Sequence, residues 1–117
     1  MSKIDDYAKM LTVEIKQSEE YNQYHRLKTM LSNDLELYAK VNTFRKKNFI
    51  LQNKENEQDD ILKIEQLEKE YFSILSMTSV KEFLLAEQRL CRLISRISGI
   101  ICEAADFDLD FIDAPEE

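Results

Sequence analysis

Apolar residues recur at intervals of three and four along most of the chain, the spacing that places them on one face of an α-helix. The longest such run lies between Ser79 and Ala105. Its apolar positions are Phe83, Ala86, Leu90, Leu93, Ile94, Ile97, Ile101 and Ala104. Apolar side chains cover roughly 200° of this helix, against about 100° for an ordinary surface helix. We therefore expect a long C-terminal helix that packs against several other helices, including helices of a second subunit.

Three local features of this helix carry further predictions. Residues 79–82, Ser-Val-Lys-Glu, have the form of a capping box, which predicts that the Ser79 hydroxyl accepts from the Glu82 amide. Glu87 lies within the apolar arc, and since a buried lone carboxylate is costly, we expect a cation from another helix or subunit beside it. Gly99 is the only glycine and is expected to permit close approach of a neighbouring helix.

Two shorter helices are predicted at the N-terminus. The first runs from about Lys3 to Gln17 and has an apolar stripe formed by Ile4, Tyr7, Ala8, Leu11 and Ile15. Ser18, followed by two glutamates, favours a new N-cap. The second helix then extends to about Leu31. The sequence leaves open whether these are two helices or one kinked rod.

Two more helices are predicted before the C-terminal one. Residues 32–34, Ser-Asn-Asp, are typical of a helix start, with Glu36 completing a capping pattern. The run 52–60 contains no apolar residue and is expected to be an exposed connection that ends at the start of a fourth helix. That helix extends to near Ser76. The predicted fold is all-α, an antiparallel bundle of about five helices with a long C-terminal helix.

The chain is expected to form one helical domain over residues 1–105 and an acidic tail over 106–117. The tail holds six acids and no base, so the body carries only about −1 of the net charge of −7. Phe107, Leu109 and Phe111 alternate with aspartates, the period of a strand. Two interpretations remain open: a frayed acidic end, or an extended segment whose aromatic side chains dock on another chain.

Composition narrows the class of protein. Hydrophobic residues make up 44% and charged residues 33%, which is typical of a folded domain. No apolar run approaches the roughly 18 residues of a membrane span, and no secretory signal is evident. The chain has only two cysteines and no pattern of a disulfide framework, which favours a location in the reducing cytoplasm. Arg89, Arg92 and Arg96 form a basic stripe, but the nearly neutral body and acidic tail disfavour direct binding to nucleic acid.

No catalytic constellation is evident, and we expect the protein not to be an enzyme. His25 is the only histidine, and there is no glycine-rich phosphate loop. Cys91 and Cys102 project from the same side of the C-terminal helix, roughly 16 Å apart, which is too far for a disulfide within one chain. They are either small buried hydrophobic residues or ligands of a metal or iron–sulfur cluster shared between chains, because two cysteines cannot complete a Cys₄ set.

Several blocks of the sequence resemble the YlbF/YmcA family of small bacterial helical proteins. They are Tyr7-Ala8, the run Ile-Lys-Gln-Ser-Glu-Glu-Tyr at 15–21, Tyr24, and Leu-Ala-Glu-Gln-Arg-Leu at 85–90. The similarity covers about residues 4–105. It implies a helical fold that self-associates and a cytoplasmic regulator of competence, sporulation and biofilm formation. It also implies assembly with related proteins and a link to messenger-RNA decay through the endoribonuclease RNase Y.

The sequence supports one main functional prediction and two alternatives. The main prediction is a non-enzymatic adaptor that forms homo-oligomers or pairs with a paralogue. Its interface would comprise Phe83, Glu87, Leu90, Ile94, Ile97 and Ile101. The first alternative is a redox or iron–sulfur sensor that uses Cys91 and Cys102, since some members of the resembled family are associated with such clusters. Direct RNA binding through the arginine stripe is the weaker alternative.

Overall fold

The computed structural model describes residues 2–53, 57–108 and 110–112, without the side chains of 57–60 and 112. Its six α-helices are α1 Lys3–Gln17, α2 Glu19–Ser32, α3 Leu35–Gln52, α4 Glu57–Glu70, α5 Phe72–Leu75 and α6 Thr78–Ala105, followed by a 3₁₀ turn at Asp110–Ile112. Within these residues no strand is present. The predicted all-α fold with a long C-terminal helix is confirmed.

The first three helices begin at side-chain caps. Ser2 accepts from the Asp5 amide, Ser18 from the Tyr21 amide and Asp34 from the Leu37 amide, at 3.1–3.2 Å. Each bond satisfies an amide that has no partner within the helix. The predicted cap at Ser18 is confirmed, and its extended backbone (φ −69°, ψ 152°) makes α1 and α2 two separate helices.

The fourth predicted helix is divided at Tyr71 into α4 and the single turn α5, so the structure has one helix more than expected. The Tyr71 ring packs on Phe44, with 5.6 Å between ring centroids. Its hydroxyl accepts from the Lys47 ammonium at 3.1 Å. This hydrogen bond, together with the charges of Tyr71 and Glu70, raises the pKa of Lys47. Both Tyr71 contacts are with residues of α3, so the apolar pattern of residues 57–75 alone could not predict them.

The capping box predicted at Ser79 is wrong. The helix begins one residue earlier, at Thr78, with Met77 as N-cap and no side-chain cap, so Ser79 lies inside the first turn. The Lys81 amide instead donates to the Met77 carbonyl at 3.0 Å. The role expected for Gly99 is also wrong within this chain, because a Cβ built there would meet nothing within 4 Å.

The core lies between α2, α3, α5 and the first half of α6. Its buried cluster is Leu27, Leu31, Val41, Ile74, Val80, Phe83 and Ala86. Helices α2 and α6 run antiparallel: Tyr24 stacks on Phe83 at 5.5 Å, while Glu19, at the start of α2, lines the same cleft as Leu93, further along α6. Each packed helix therefore contributes only a short apolar segment to one small core.

The molecule is flat and open rather than spherical. It measures 47 × 46 × 19 Å, with a radius of gyration of 18.5 Å. A compact domain of this length would have a radius of gyration of about 13 Å. The difference arises because α1 has no buried residue and the end of α6 projects past the core. None of the helices in the described ranges combines the length and the apolar character needed to cross a bilayer.

The chain leaves α6 through a left-handed residue. Asp106 (φ 52°) is the C-cap, and its amide donates to the carbonyls of Cys102 and Glu103. A 3₁₀ turn follows at Asp110–Ile112, so the strand interpretation is wrong for these residues. Phe107 and Phe111 are exposed. Leu109 and residues 113–117, which belong to the predicted acidic tail, lie outside the described residues, and the division at 105/106 stays a prediction.

Candidate interaction surface

Helix α6 has one continuous apolar face with two different surroundings. We call residues 78–90 its core half and residues 91–105 its open half. In the core half Phe83 is fully buried, with 0% of its surface exposed. Its ring contacts Tyr24, Tyr38 at 6.5 Å between centroids, and the Arg45 guanidinium at 5.2 Å. Of the predicted interface residues, Phe83 therefore belongs to the chain's own core, where a second chain cannot reach it.

Glu87, the predicted interface carboxylate, has the cation partner that was expected for it. Arg45 of α3 forms an ion pair and a hydrogen bond with Glu87, and both side chains are partly buried. Arg45 also donates to Asn42 at 2.8 Å. Partial burial by itself lowers the pKa of Arg45, but the hydrogen bond and charge of Glu87, with smaller contributions from Tyr24, raise it above its usual value. This pair ties α3 to α6 at the edge of the core.

In the open half the same face is only partly covered within the chain. Ile94 is 41% and Ile101 is 58% exposed, while Ile97, like Leu90 at the end of the core half, is half-buried. The reason is length: α6 has 28 residues and α2 has 14. At about 1.5 Å per residue they extend roughly 42 and 21 Å, so α2 can cover only half of α6. Four of the predicted interface residues thus lie on or beside an exposed apolar face.

Helix α1 carries a second uncovered apolar face. Its stripe includes Ile4 and Tyr7, which are exposed, and Leu11 and Ile15, which are half-buried. The contacts of α1 within the chain are chiefly with α2. The stripe was predicted from the sequence, but its lack of cover was not, because periodicity shows which side of a helix is apolar and not whether a neighbour reaches it.

A shallow cleft between α2 and the middle of α6 brings together two blocks that are distant in sequence. Its volume is 410 Å³. Its walls are formed by Glu19, Glu20 and Gln23 from α2, and by Ala86, Arg89, Arg92, Leu93 and Arg96 from α6. The cleft therefore holds three arginines and two glutamates, so its local charge is nearly balanced. A nearly balanced cleft attracts a polyanion only weakly.

A larger groove, of 760 Å³, lies between α3, α5 and α6 and was missed by sequence reasoning. Phe49 and Phe72 form part of its wall and are 68% and 69% exposed. Both are aromatic residues off the main apolar stripe of their own helical segment, and that was the available signal. Cys91 also lines this groove.

The cysteines do not make a cluster site within one chain. Cys91 and Cys102 are free and exposed, so the interpretation as small buried residues is wrong. Among the described residues, no three His, Cys, Asp or Glu side chains are grouped to hold a metal ion. Two thiols roughly 16 Å apart along a helix cannot bind one iron–sulfur cluster, which takes four ligands. The donor set of a single chain therefore does not fit this cofactor.

Comparison with known proteins identifies the family. The family described as "Control of competence regulator ComK, YlbF/YmcA" matches residues 4–105. A UPF0342 protein of Symbiobacterium thermophilum is 31% identical over 91% of this chain and 96% of its own length. A second UPF0342 protein, from Desulfitobacterium hafniense, is 34% identical over 86% of this chain and 83% of its own length. No solved structure matches the chain at a significant level. The helical fold, the blocks that meet in the α2–α6 cleft and this match together show that the chain belongs to the YlbF/YmcA family.

Proposed function

We propose that this protein is a non-enzymatic cytoplasmic adaptor that assembles with copies of itself or with a related helical protein. Its role would be the regulation of competence and of related developmental programmes, sporulation and biofilm formation, through messenger-RNA processing linked to RNase Y. The family match supports the regulatory part of this proposal. The observation that carries the assembly part is the exposed apolar face of the open half of α6.

That face supports assembly because its apolar side chains are contiguous and each is at least partly exposed. Ile94, Ile97 and Ile101 follow one another at three and four residues, so they form one strip rather than scattered single contacts. Contiguous exposed apolar surface on a soluble domain marks an interaction site, whereas isolated exposed residues do not. The strip also continues directly from the buried core residues of the same helix, which gives it a rigid support.

The test is affinity purification of the tagged protein, at native level, from its own cells, followed by mass spectrometry. We expect a similar small helical protein and components of the RNA-decay machinery to co-purify. Ile97→Asp should lose them while keeping the fold by circular dichroism, since a carboxylate in the strip would be desolvated at the interface. Ser95→Asp, which adds the same charge at an exposed position outside the strip, is the matched control. Recovery of the same partners with both variants would exclude this strip as the interface.

The cysteine-based alternative has its own test. A sensor would need ligands from more than one chain, so purification without oxygen should give iron, sulfide and visible absorbance in the assembled protein. A colourless, iron-free assembly that persists in the Cys91→Ser/Cys102→Ser variant would remove this alternative and leave the adaptor function in place.

A further inference from the structure

We propose that the open half of α6 is covered by helix α1 of a second copy of this chain, in a reciprocal exchange between two subunits. The proposal rests on the self-association proposed above and names the element that makes the contact. Helix α1 buries no residue, and Ile94 and Ile101 of the open half are exposed, so both helix segments present apolar side chains to solvent.

The register of α2 on α6 indicates how α1 would lie. Tyr24 stacks on Phe83, and Glu19 lines the same cleft as Leu93, so residue numbers rise along one helix as they fall along the other. Extending this antiparallel register past the start of α2 places Leu11 over residues 96–101 and Tyr7 over residues 100–105, the part of α6 that holds Ile97 and Ile101. The lengths also agree, because α1 and the open half each extend roughly 22 Å at about 1.5 Å per residue.

The α1 helix of the same chain does not take this place. Ser18 is extended and acts at once as C-cap of α1 and N-cap of α2: its amide donates to the Ile15 carbonyl at 3.0 Å, and its side chain accepts from Tyr21. The break at Ser18 ends α1, which buries no residue and whose contacts within the chain are chiefly with α2. A second copy, in contrast, brings its own α1 and its own uncovered strip, so a twofold exchange covers both faces in both subunits.

The exposed area is sufficient for such an exchange. The chain exposes 9721 Å². A compact monomer of this mass exposes about 6,700 Å², and a standard interface buries only about 800 Å² on each partner. The excess of roughly 3,000 Å², summed over the whole chain, is larger than the area that one stable dimer interface requires. Charge does not oppose the contact, since α1 carries three bases and three acids, namely Lys3, Lys9, Lys16, Asp5, Asp6 and Glu14.

Disulfide trapping between two differently tagged copies tests the contact, with Cys91→Ser and Cys102→Ser in both. One copy carries Tyr7→Cys and the other Ile101→Cys, so a crosslink cannot form within one chain. After mild oxidation we expect the mixed crosslinked dimer to predominate. Asp6→Cys, which lies on the opposite side of α1, is the matched control and should give only background. A Tyr7→Cys yield no higher than that of Asp6→Cys would overturn the inference.

Light scattering of the unoxidised protein separates this inference from the proposed self-association. A mass of twice 13.9 kDa or more without the mixed crosslink would overturn the α1 exchange and keep self-association. A preferred crosslink between two copies of Ile101→Cys would also overturn the exchange, because α6 would then pack on α6. A mass of 13.9 kDa at all concentrations would instead overturn self-association itself.

Discussion

The two halves of α6 have similar apolar faces and opposite surroundings. In the core half, Val80, Phe83 and Ala86 are buried by α2, α3 and α5. In the open half, Ile94 and Ile101 have equally apolar side chains and stay exposed. The difference comes from the length of the covering helix, since α2 reaches only to the middle of α6. Whether an apolar side chain of α6 is buried thus depends on whether another helix covers it. Where the apolar face continues without a covering helix, we infer that a partner is missing.

The two halves of α6 are also expected to differ in role, with the core half stabilising the fold and the open half mediating assembly. The core half holds the chain together through aromatic stacking and the Arg45–Glu87 pair. The open half contributes less to folding of a single chain, because most of its side chains stay exposed to water. Substitutions in the first half should therefore change unfolding, whereas substitutions on the apolar face of the second should change association.

The largest expected effect is that of Phe83→Ala. Removing a fully buried phenylalanine leaves a cavity beneath Tyr24 and Arg45 and should lower the free energy of unfolding by about 3–5 kcal/mol. Urea denaturation at a fixed chain concentration measures it. Ile101→Ala, measured where the protein is monomeric, is the control and should cost less than about 0.5 kcal/mol. Equal losses for the two variants would mean that the halves are not energetically distinct.

The second effect is that of Glu87→Ala. This substitution leaves the partly buried Arg45 without its carboxylate partner. It should lower the free energy of unfolding by about 1–3 kcal/mol. Glu103→Ala removes an exposed carboxylate from the open half of the same helix and should change stability by less than about 0.5 kcal/mol. Thermal unfolding of both variants gives the comparison. If Arg45→Ala and Glu87→Ala were strictly additive in the double variant, the pair would have no coupling energy and the prediction would fail.

Local signals in the sequence were sufficient to predict a large part of this fold. The bounds of α1, the cap at Ser18 and the apolar side of α6 all depend on residues close together in the chain. The cation beside Glu87 was also predictable, because burying a lone carboxylate is costly. Its identity was not, since Arg45 lies 42 positions away.

The features that could not be predicted depend on contacts between distant segments. The break at Tyr71 accompanies packing on Phe44, and the groove beside Phe49 depends on how three helices splay. The assignment of Phe83 to an intersubunit face was reasonable from the width of the apolar arc. Only the structure shows which part of that arc α2 is long enough to cover.

A third prediction compares two serines that both resemble caps. Ser18→Ala removes the acceptor for the Tyr21 amide at the start of α2 and should cost about 1 kcal/mol. Ser79→Ala removes no cap and should stay within about 0.5 kcal/mol of the parent. Denaturant midpoints with unchanged slopes would measure both. A larger loss for Ser79→Ala would mean that α6 does begin at the predicted capping box.

The smallest predicted effect is an increase in the stability of the chain. Gly99 lies inside α6, and a Cβ at this position would meet nothing, so Gly99→Ala should stabilise the chain by about 0.5–1 kcal/mol through restriction of the unfolded backbone. About 200° of turn separates Gly99 from Ile101, so the added methyl group faces away from the apolar strip. Thermal unfolding should therefore shift upward while light scattering stays unchanged. A change in mass would show that the polar side of the open half takes part in assembly, and the contrast between its two faces would then have to be abandoned.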